Sequence, residues 1–249
     1  MSVYIIAEAG INHNGSYYEA MHLVAMAVMA GANAVKFQTY TADLICRMDN
    51  PEYRMLKRCQ LSHEQFINLQ KFCAVAPIDF ISTPHDLPAA AFLETLKMPY
   101  MKIGSGQAKQ EFLDQLQVTT PLLVSLGMGA TTALHHPALH CYMHCISSYP
   151  CPPHAAHINR VGGKILGFSD HTDGHIAAVM AVARGAKYIE KHVTLDNKAD
   201  GPDHHMSLNP EDFVHYCGAI REAERMLGMY EPGIQECERK TITKLEARK

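Results

Sequence analysis

Two stretches decide the fold: Gly167-Phe168-Ser169-Asp170-His171-Thr172 (GFSDHT) and Tyr188-Ile189-Glu190-Lys191-His192-Val193 (YIEKHV). Each is a short apolar run that stops in ionisable side chains. Residues 175–184 between them have a helical pattern. Strand, helix, strand at this spacing is a crossover unit, which joins parallel strands.

The same unit recurs toward both ends of the chain. Apolar segments at 3–9, 34–38, 78–83, 100–103, 122–125 and 140–146 read as strands one to six, with 165–169 and 187–193 as strands seven and eight. Helical patterns follow at 17–30, at 63–75 with Ser62 as its cap, at 87–96 and at 111–117. A last helix opens at Pro210-Glu211-Asp212, repeats Phe213, Cys217, Ile220, Ala223 and Leu227 at helical spacing, and stops at Gly228. Between Gly127 and His140 only TTALHHPAL is available, and Pro137 limits it further, so the fifth helix is expected to be a stub. Eight such units in 249 residues predict an α/β fold, a single-domain (β/α)8 TIM barrel. The alternative is an open doubly wound sheet, whose G-x-G-x-x-G turn after the first strand is absent. The whole chain, 1–249, reads as one barrel domain, with about 230–249 as a C-terminal extension.

Composition narrows the function. Hydrophobic residues make up 47% and charged residues 19%, enough for a large core. Net charge is -3, so no basic excess exists to hold a nucleic-acid backbone. The start, MSVYIIAEAG, lacks the basic and long apolar regions of a signal peptide, and no run reaches membrane-span length. A cytoplasmic protein with reduced thiols is the expectation. Cys141, Cys145 and Cys151 lie near His140 and His144, but no paired C-x-x-C spacing supports zinc, and small buried side chains are the expected reading.

In such a barrel, chemistry sits at the C-terminal ends of the strands. Read in order, those ends carry Glu8 with Asn12, His13 and Asn14; Lys36 and Gln38; Ser82, Thr83 and His85; Lys102, Ser105 and Gln107; Ser125; His144, Ser147 and Tyr149; Ser169, Asp170 and His171; and Glu190, Lys191 and His192. Burying a lone lysine or glutamate is costly unless it is paired or binds a charge. Lys36 and Lys102 both interrupt apolar runs, in AVKF and YMKIG. One such lysine is often a structural ion pair. Two, with several hydroxyls and the turn Gly104-Ser105-Gly106, favour a phosphorylated or dianionic ligand. His171 and His192 end neighbouring strands and are expected to converge on one divalent cation, with carboxylates nearby to orient them. A hard, partly aqueous site of this kind suits manganese or magnesium.

These residues resemble the sialic acid (N-acetylneuraminate) synthase family and its relatives that make legionaminic, pseudaminic and spore-coat sugars. The resemblance runs through IIAEAGINHNG (5–15), AVKFQT (34–39), FISTPHD (80–86), MKIGSG (101–106), HCISSYP (144–150), GFSDHT (167–172), IEKHVTLD (189–196) and GPDHHMSL (201–208). It implies a (β/α)8 barrel that condenses phosphoenolpyruvate with an N-acetylmannosamine-type sugar and releases phosphate. By the same resemblance Lys36, Thr83, Lys102, Ser105, Ser125, Ser147 and Ser169 hold phosphoenolpyruvate. His171 and His192 bind the metal. Glu8, Gln38, Tyr149 and Asp203 surround the sugar, with Gln107 at the same mouth, and Glu8 or Glu190 handles protons. The implied partners are small molecules, with neither nucleic acid nor membrane, and a homodimer stays open.

The chain departs from the family's pattern in three places. Gln107 stands where the family has glutamate, and an amide cannot ionise. The turn after strand five reads Ser125-Leu126-Gly127-Met128 and lacks one hydroxyl. The chain ends in ERKTITKLEARK, about where the family's antifreeze-like domain would begin, which predicts altered sugar selectivity. Two rivals follow. Another phosphoenolpyruvate-dependent aldol synthase would take a phosphorylated acceptor, for which Arg47, Arg54, Lys57 and Arg58 are the candidate ligands. A catalytically impaired barrel would bind ligand only.

Overall fold

The structure is a computed structural model that describes residues 2–228 and 232–248. The chain runs β1 (Tyr4–Gly10), α1 (Tyr17–Met29), β2 (Ala34–Thr39), α2 (Ala42–Ile45), α3 (Tyr53–Cys59), α4 (His63–Ala74), β3 (Asp79–Pro84), α5 (Leu87–Thr95) and β4 (Met101–Ile103). It continues with α6 (Gln110–Leu113), β5 (Leu122–Leu126), β6 (Leu139–His144), β7 (Ile165–Asp170), α7 (Ile176–Ala183), β8 (Tyr188–His192), α8 (Pro210–Met226) and α9 (Arg239–Glu246). All neighbouring strands pair parallel, and β8 pairs with β1, which closes the barrel. The (β/α)8 expectation holds. The fifth unit is shorter still than a stub, since residues 127–138 contain turns and no helix. The helix expected over 111–117 is cut to Gln110–Leu113, and the long connection after β2 holds two helices, α2 and α3. Of the extension expected over 230–249, residues 230, 231 and 249 lie outside the described residues, and α9 occupies part of the remainder.

Alternation along each strand sorts side chains to two faces. The outward set, including Ile5, Val35, Phe37, Phe80, Val124, Phe168 and Ile189, packs under the helices in one continuous core. Local signals place those helices. Ser62 and Gln65 form a reciprocal capping box at the start of α4. Asn209 accepts from Asp212 N (3.0 Å) to open α8, which buries Phe213, Tyr216, Cys217, Ile220 and Ala223. The inward set is layered. Tyr4, Tyr100 and Tyr188 close the N-terminal end, with ring centroids 5.4–5.8 Å apart. Ile6, Ala34, Ile81, Leu123, Cys141 and Met143 form a buried apolar middle layer above them. Below that layer the tyrosine hydroxyls bond to Asp79, His140 and one another, and above it the buried lysines and glutamates of the barrel interior gather at the C-terminal mouth. No helix among the described residues is long and apolar enough to cross a membrane.

Candidate active site

The mouth is a cavity of ≈ 380 Å³ lined by Glu8, Lys36, Gln38, Thr83, Lys102, Ser105, Gln107, Ser125, Tyr149, Ser169, His171, Glu190, His192 and Asp203, among others. All of the site residues expected from sequence line it except Ser147, which reaches it through a hydrogen bond to Ser105 Oγ (2.8 Å). The close crossing after β5 explains Gly127: a Cβ there would lie 2.6 Å from Ser147 Oγ and 2.8 Å from Cys145 Sγ.

Four charges sit on the cavity floor, all buried. Register pairs Glu8 directly with Lys36 across β1 and β2. Lys36 Nζ lies 2.9 Å from Glu8 Oε2 and 3.5 Å from Glu190 Oε2, and donates to Thr83 Oγ1 at 2.9 Å. Lys102 Nζ lies 3.5 Å from Glu190 Oε1 and donates to Ser125 Oγ (2.7 Å). Ser125 donates in turn to Ser169 Oγ (3.2 Å), and Ser169 to Glu190. Gln38 Nε2 donates to the other oxygen of Glu8 (3.2 Å).

The two carboxyls differ in charge behaviour. Burial raises Glu8, and neighbouring Glu190 adds to that rise against the pull of Lys36. Burial also opposes ionisation of Glu190, but Lys102 and then Lys36 outweigh it, and the group is held well below the usual carboxylate range. The lysines divide too. Burial would lower Lys36, yet Glu190 and Glu8 together hold it above the usual range. Lys102 is lowered by burial, with Glu190 opposing and Lys36 assisting. Glu190 is thus the fixed anion between two lysines, and Glu8 the carboxyl that takes a proton most readily.

His171 and His192 face the same cavity with ring centroids 5.8 Å apart, and the Tyr149 ring lies 4.2 Å from that of His171. Burial, then His192, pushes His171 down to about 3, and burial lowers His192, so both are neutral near pH 7. His171 Nδ1 pairs with Ile146 O (2.6 Å), which places its proton and leaves the Nε2 lone pair free. His192 Nδ1 is buried without a hydrogen-bond partner, 3.9 Å from Asp203 Oδ2. Two neutral imidazoles, one with an orphaned nitrogen, fit part of an open divalent site. No third His, Cys, Asp or Glu joins them in a metal-binding group among the described residues, so water and substrate would supply the other positions. The carboxylate expected beside them from GFSDHT faces the other way: Asp170 points out of the barrel to Lys191 and Tyr216.

The sequence reading gave no role to several cavity residues. Glu52, Met55 and Leu56 come from the α3 region, where close packing explains another glycine: a Cβ on Gly15 (φ +82°) would lie 2.0 Å from Arg58 O. Cys145 and Met128 also line the cavity. His85, in sequence only one of the polar residues at a strand end, lines it as well. None of Arg47, Arg54, Lys57 and Arg58 lines the cavity; Arg47 pairs with Asp49 and Lys57 with Asp43, each at 2.8 Å.

Barrel and mouth together define an enzyme of the (β/α)8 class, with a charged cavity suited to an anionic small molecule. The chain belongs to the NeuB family, whose model matches residues 23–231. An uncharacterised protein of Methanocaldococcus jannaschii is 37% identical over 265 aligned residues, covering 99% of this chain and 77% of that protein. The N,N'-diacetyllegionaminic acid synthase of Legionella pneumophila is 33% identical, covering 92% of this chain and 74% of its own. Among solved structures, the N-acetylneuraminic acid (sialic acid) synthetase of Leptospira borgpetersenii, in complex with citrate, superposes with a TM-score of 0.85 at 26% identity. That match covers 99% of this chain and 92% of the synthetase.

Proposed function

We propose that this protein condenses phosphoenolpyruvate with an uncharged N-acetylmannosamine-type sugar, giving a sialic-type nonulosonic acid and phosphate. The observation that carries this reading is the pair of buried lysines, Lys36 and Lys102, in one cavity with two neutral histidines and a row of hydroxyls. Phosphoenolpyruvate carries a carboxylate and a phosphate. Lys36, Lys102, Thr83, Ser105, Ser125, Ser147 and Ser169 would hold them through charge-assisted hydrogen bonds. His171 and His192 would hold manganese or magnesium, which when bound supplies Lewis acidity toward the acceptor's aldehyde oxygen.

The C3 carbon of phosphoenolpyruvate bonds to the aldehyde carbon, whose oxygen takes a proton to become a hydroxyl; water adds at C2 and gives up a proton, and the tetrahedral species breaks its C2–O bond to phosphate, leaving the C2 ketone. Lys36 and Lys102 keep the anionic groups in place throughout. Glu8, raised by burial, is suited to exchange the proton, while Glu190 stays ionised and fixes both lysines. Gln38, Tyr149 and Asp203 would face the sugar. Its distal part would meet Glu52, Met55 and Leu56, apolar and acidic lining residues that suit an acyl group and repel a phosphate. This disfavours the rival with a phosphorylated acceptor.

The test is inorganic phosphate release from phosphoenolpyruvate with manganese, with and without N-acetylmannosamine. Release should require the sugar, stop on chelation and resume on adding metal. His171→Ala should lower it by about a hundredfold or more. If wild-type protein neither binds phosphoenolpyruvate nor releases phosphate with any sugar, the reading fails.

A further inference from the structure

His85 follows β3 directly, and its backbone N donates to Thr39 O at 3.0 Å, which pins it to the exit of β2. Its ring lines the cavity beside Lys36, Thr83 and Lys102. Nδ1 meets Gln107 Nε2 at 3.2 Å. An amide nitrogen only donates, so Nδ1 accepts and the ring's own hydrogen sits on Nε2. That Nε2 is buried and has no hydrogen-bond partner. An orphaned donor in a cavity wall that also carries Lys36 and Lys102 calls for an acceptor from outside the chain. The turn that carries Gln107 is held through its backbone, whose N donates to Gly104 O (3.1 Å) and whose carbonyl O accepts from Lys109 N (2.7 Å). Burial, with Lys36 and Lys102, pushes His85 down to about 4, so the ring is a neutral donor near pH 7.

We infer that His85 binds an anionic oxygen of phosphoenolpyruvate through Nε2–H, and that Gln107 is the positioning residue that fixes this tautomer. This rests on the function proposed above. It also gives the amide at 107 a purpose. A carboxylate there accepts only, so it would draw the hydrogen to Nδ1 and strip Nε2 of its donor. Changing Gln107→Glu therefore weakens phosphoenolpyruvate binding.

The test is calorimetric binding of phosphoenolpyruvate, with manganese and without sugar, beside steady-state kinetics. His85→Phe keeps a flat ring without a donor. It should weaken phosphoenolpyruvate binding roughly tenfold or more, raise KM for phosphoenolpyruvate, and leave KM for the sugar unchanged. His85→Asn keeps a donor and should recover part of the loss. Gln107→Glu should weaken binding in wild type yet add nothing in the His85→Phe background, which a merely structural role would not produce. Unchanged affinity in His85→Phe, or additive losses in the double variant, overturns the inference while sugar-dependent phosphate release leaves the functional reading standing. A wild-type protein that fails to bind phosphoenolpyruvate overturns both.

Discussion

The barrel wall at β7 and β8 separates two buried lysine clusters that differ in how completely they are satisfied. Outside the wall, Asp170 and Lys191 are paired in register. Lys191 Nζ lies 3.3 Å from Asp170 Oδ2, donates to Thr172 O, and sits 5.4 Å from the centroid of the Tyr216 ring. Asp170 Oδ1 accepts from Thr172 N (2.9 Å) and Oγ1 (2.7 Å), and Oδ2 from Tyr216 OH (3.0 Å). Neither Asp170 nor Lys191 has a buried side-chain N or O atom left without a hydrogen-bond partner. Inside the wall, Glu8 Oε2 and Glu190 Oε2 touch Lys36 only as ion pairs and make no aligned hydrogen bond. A closed cluster ties β7, β8 and α8 together. An open one, facing a cavity, retains capacity for a ligand.

Breaking each cluster should therefore give opposite phenotypes. Lys102→Met should lower sugar-dependent phosphate release by about 10²–10³, because a charge facing the cavity is lost while Glu190 keeps Lys36 and Ser169. Asp170→Asn should instead cost about 3–5 kcal/mol of stability, since it strands a buried ammonium. Turnover per folded molecule should survive. Urea unfolding and phosphate release on the same two variants check both halves. Equal stability losses, or equal activity losses, would mean the wall does not divide the roles.

Residue order alone hides this division. GFSDHT and YIEKHV look like two similar clusters, and strand parity decides which member serves which side: Ser169 and Glu190 go in, Asp170 and Lys191 go out. The barrel itself was legible, because eight apolar runs with intervening helices leave few topologies. Lys36 and Lys102 were legible because a lysine inside an apolar strand is costly. The α3 lining was not, since YRMLKRC carries its apolar residues among charges and reads as a solvated connection. The partnership of His85 with Gln107 was invisible for a different reason: it depends on a side-chain contact across two strand exits, 22 residues apart.

A group buried with no charge partner sharpens the comparison. His13 is fully buried behind β1; its Nδ1 accepts from Gly15 N (3.0 Å) and its Nε2 has no partner. Burial pushes it down to about 4. The unfolded chain takes that proton near pH 6.5, and the folded one only near 4. Stability is thus complete above pH 6.5 and falls as pH drops toward 4. By pH 5 the loss from this residue is about 2 kcal/mol. His13→Asn keeps an acceptor for Gly15 and cannot titrate, so it should remove that part of the stability difference between pH 7 and pH 5. An unchanged difference would place the acid sensitivity in other buried histidines.

The smallest effects are expected where charges meet in water. Arg47 and Asp49 pair at 2.8 Å with side chains 86% and 69% exposed, and Lys57 pairs with Asp43 at 2.8 Å. Solvent screens such pairs, and holding the side chains costs entropy, so Arg47→Ala and Lys57→Ala should each shift stability by less than about 1 kcal/mol. Their value lies in the acceptor. If either residue swung inward to hold a phosphorylated sugar, its loss would selectively raise KM for N-acetylmannosamine 6-phosphate. With Glu52, Met55 and Leu56 lining the cavity instead, the preference for the unphosphorylated sugar should be the same in both variants and in wild type. Glu52→Lys, by contrast, should narrow that preference, because it puts a cation in the cavity lining.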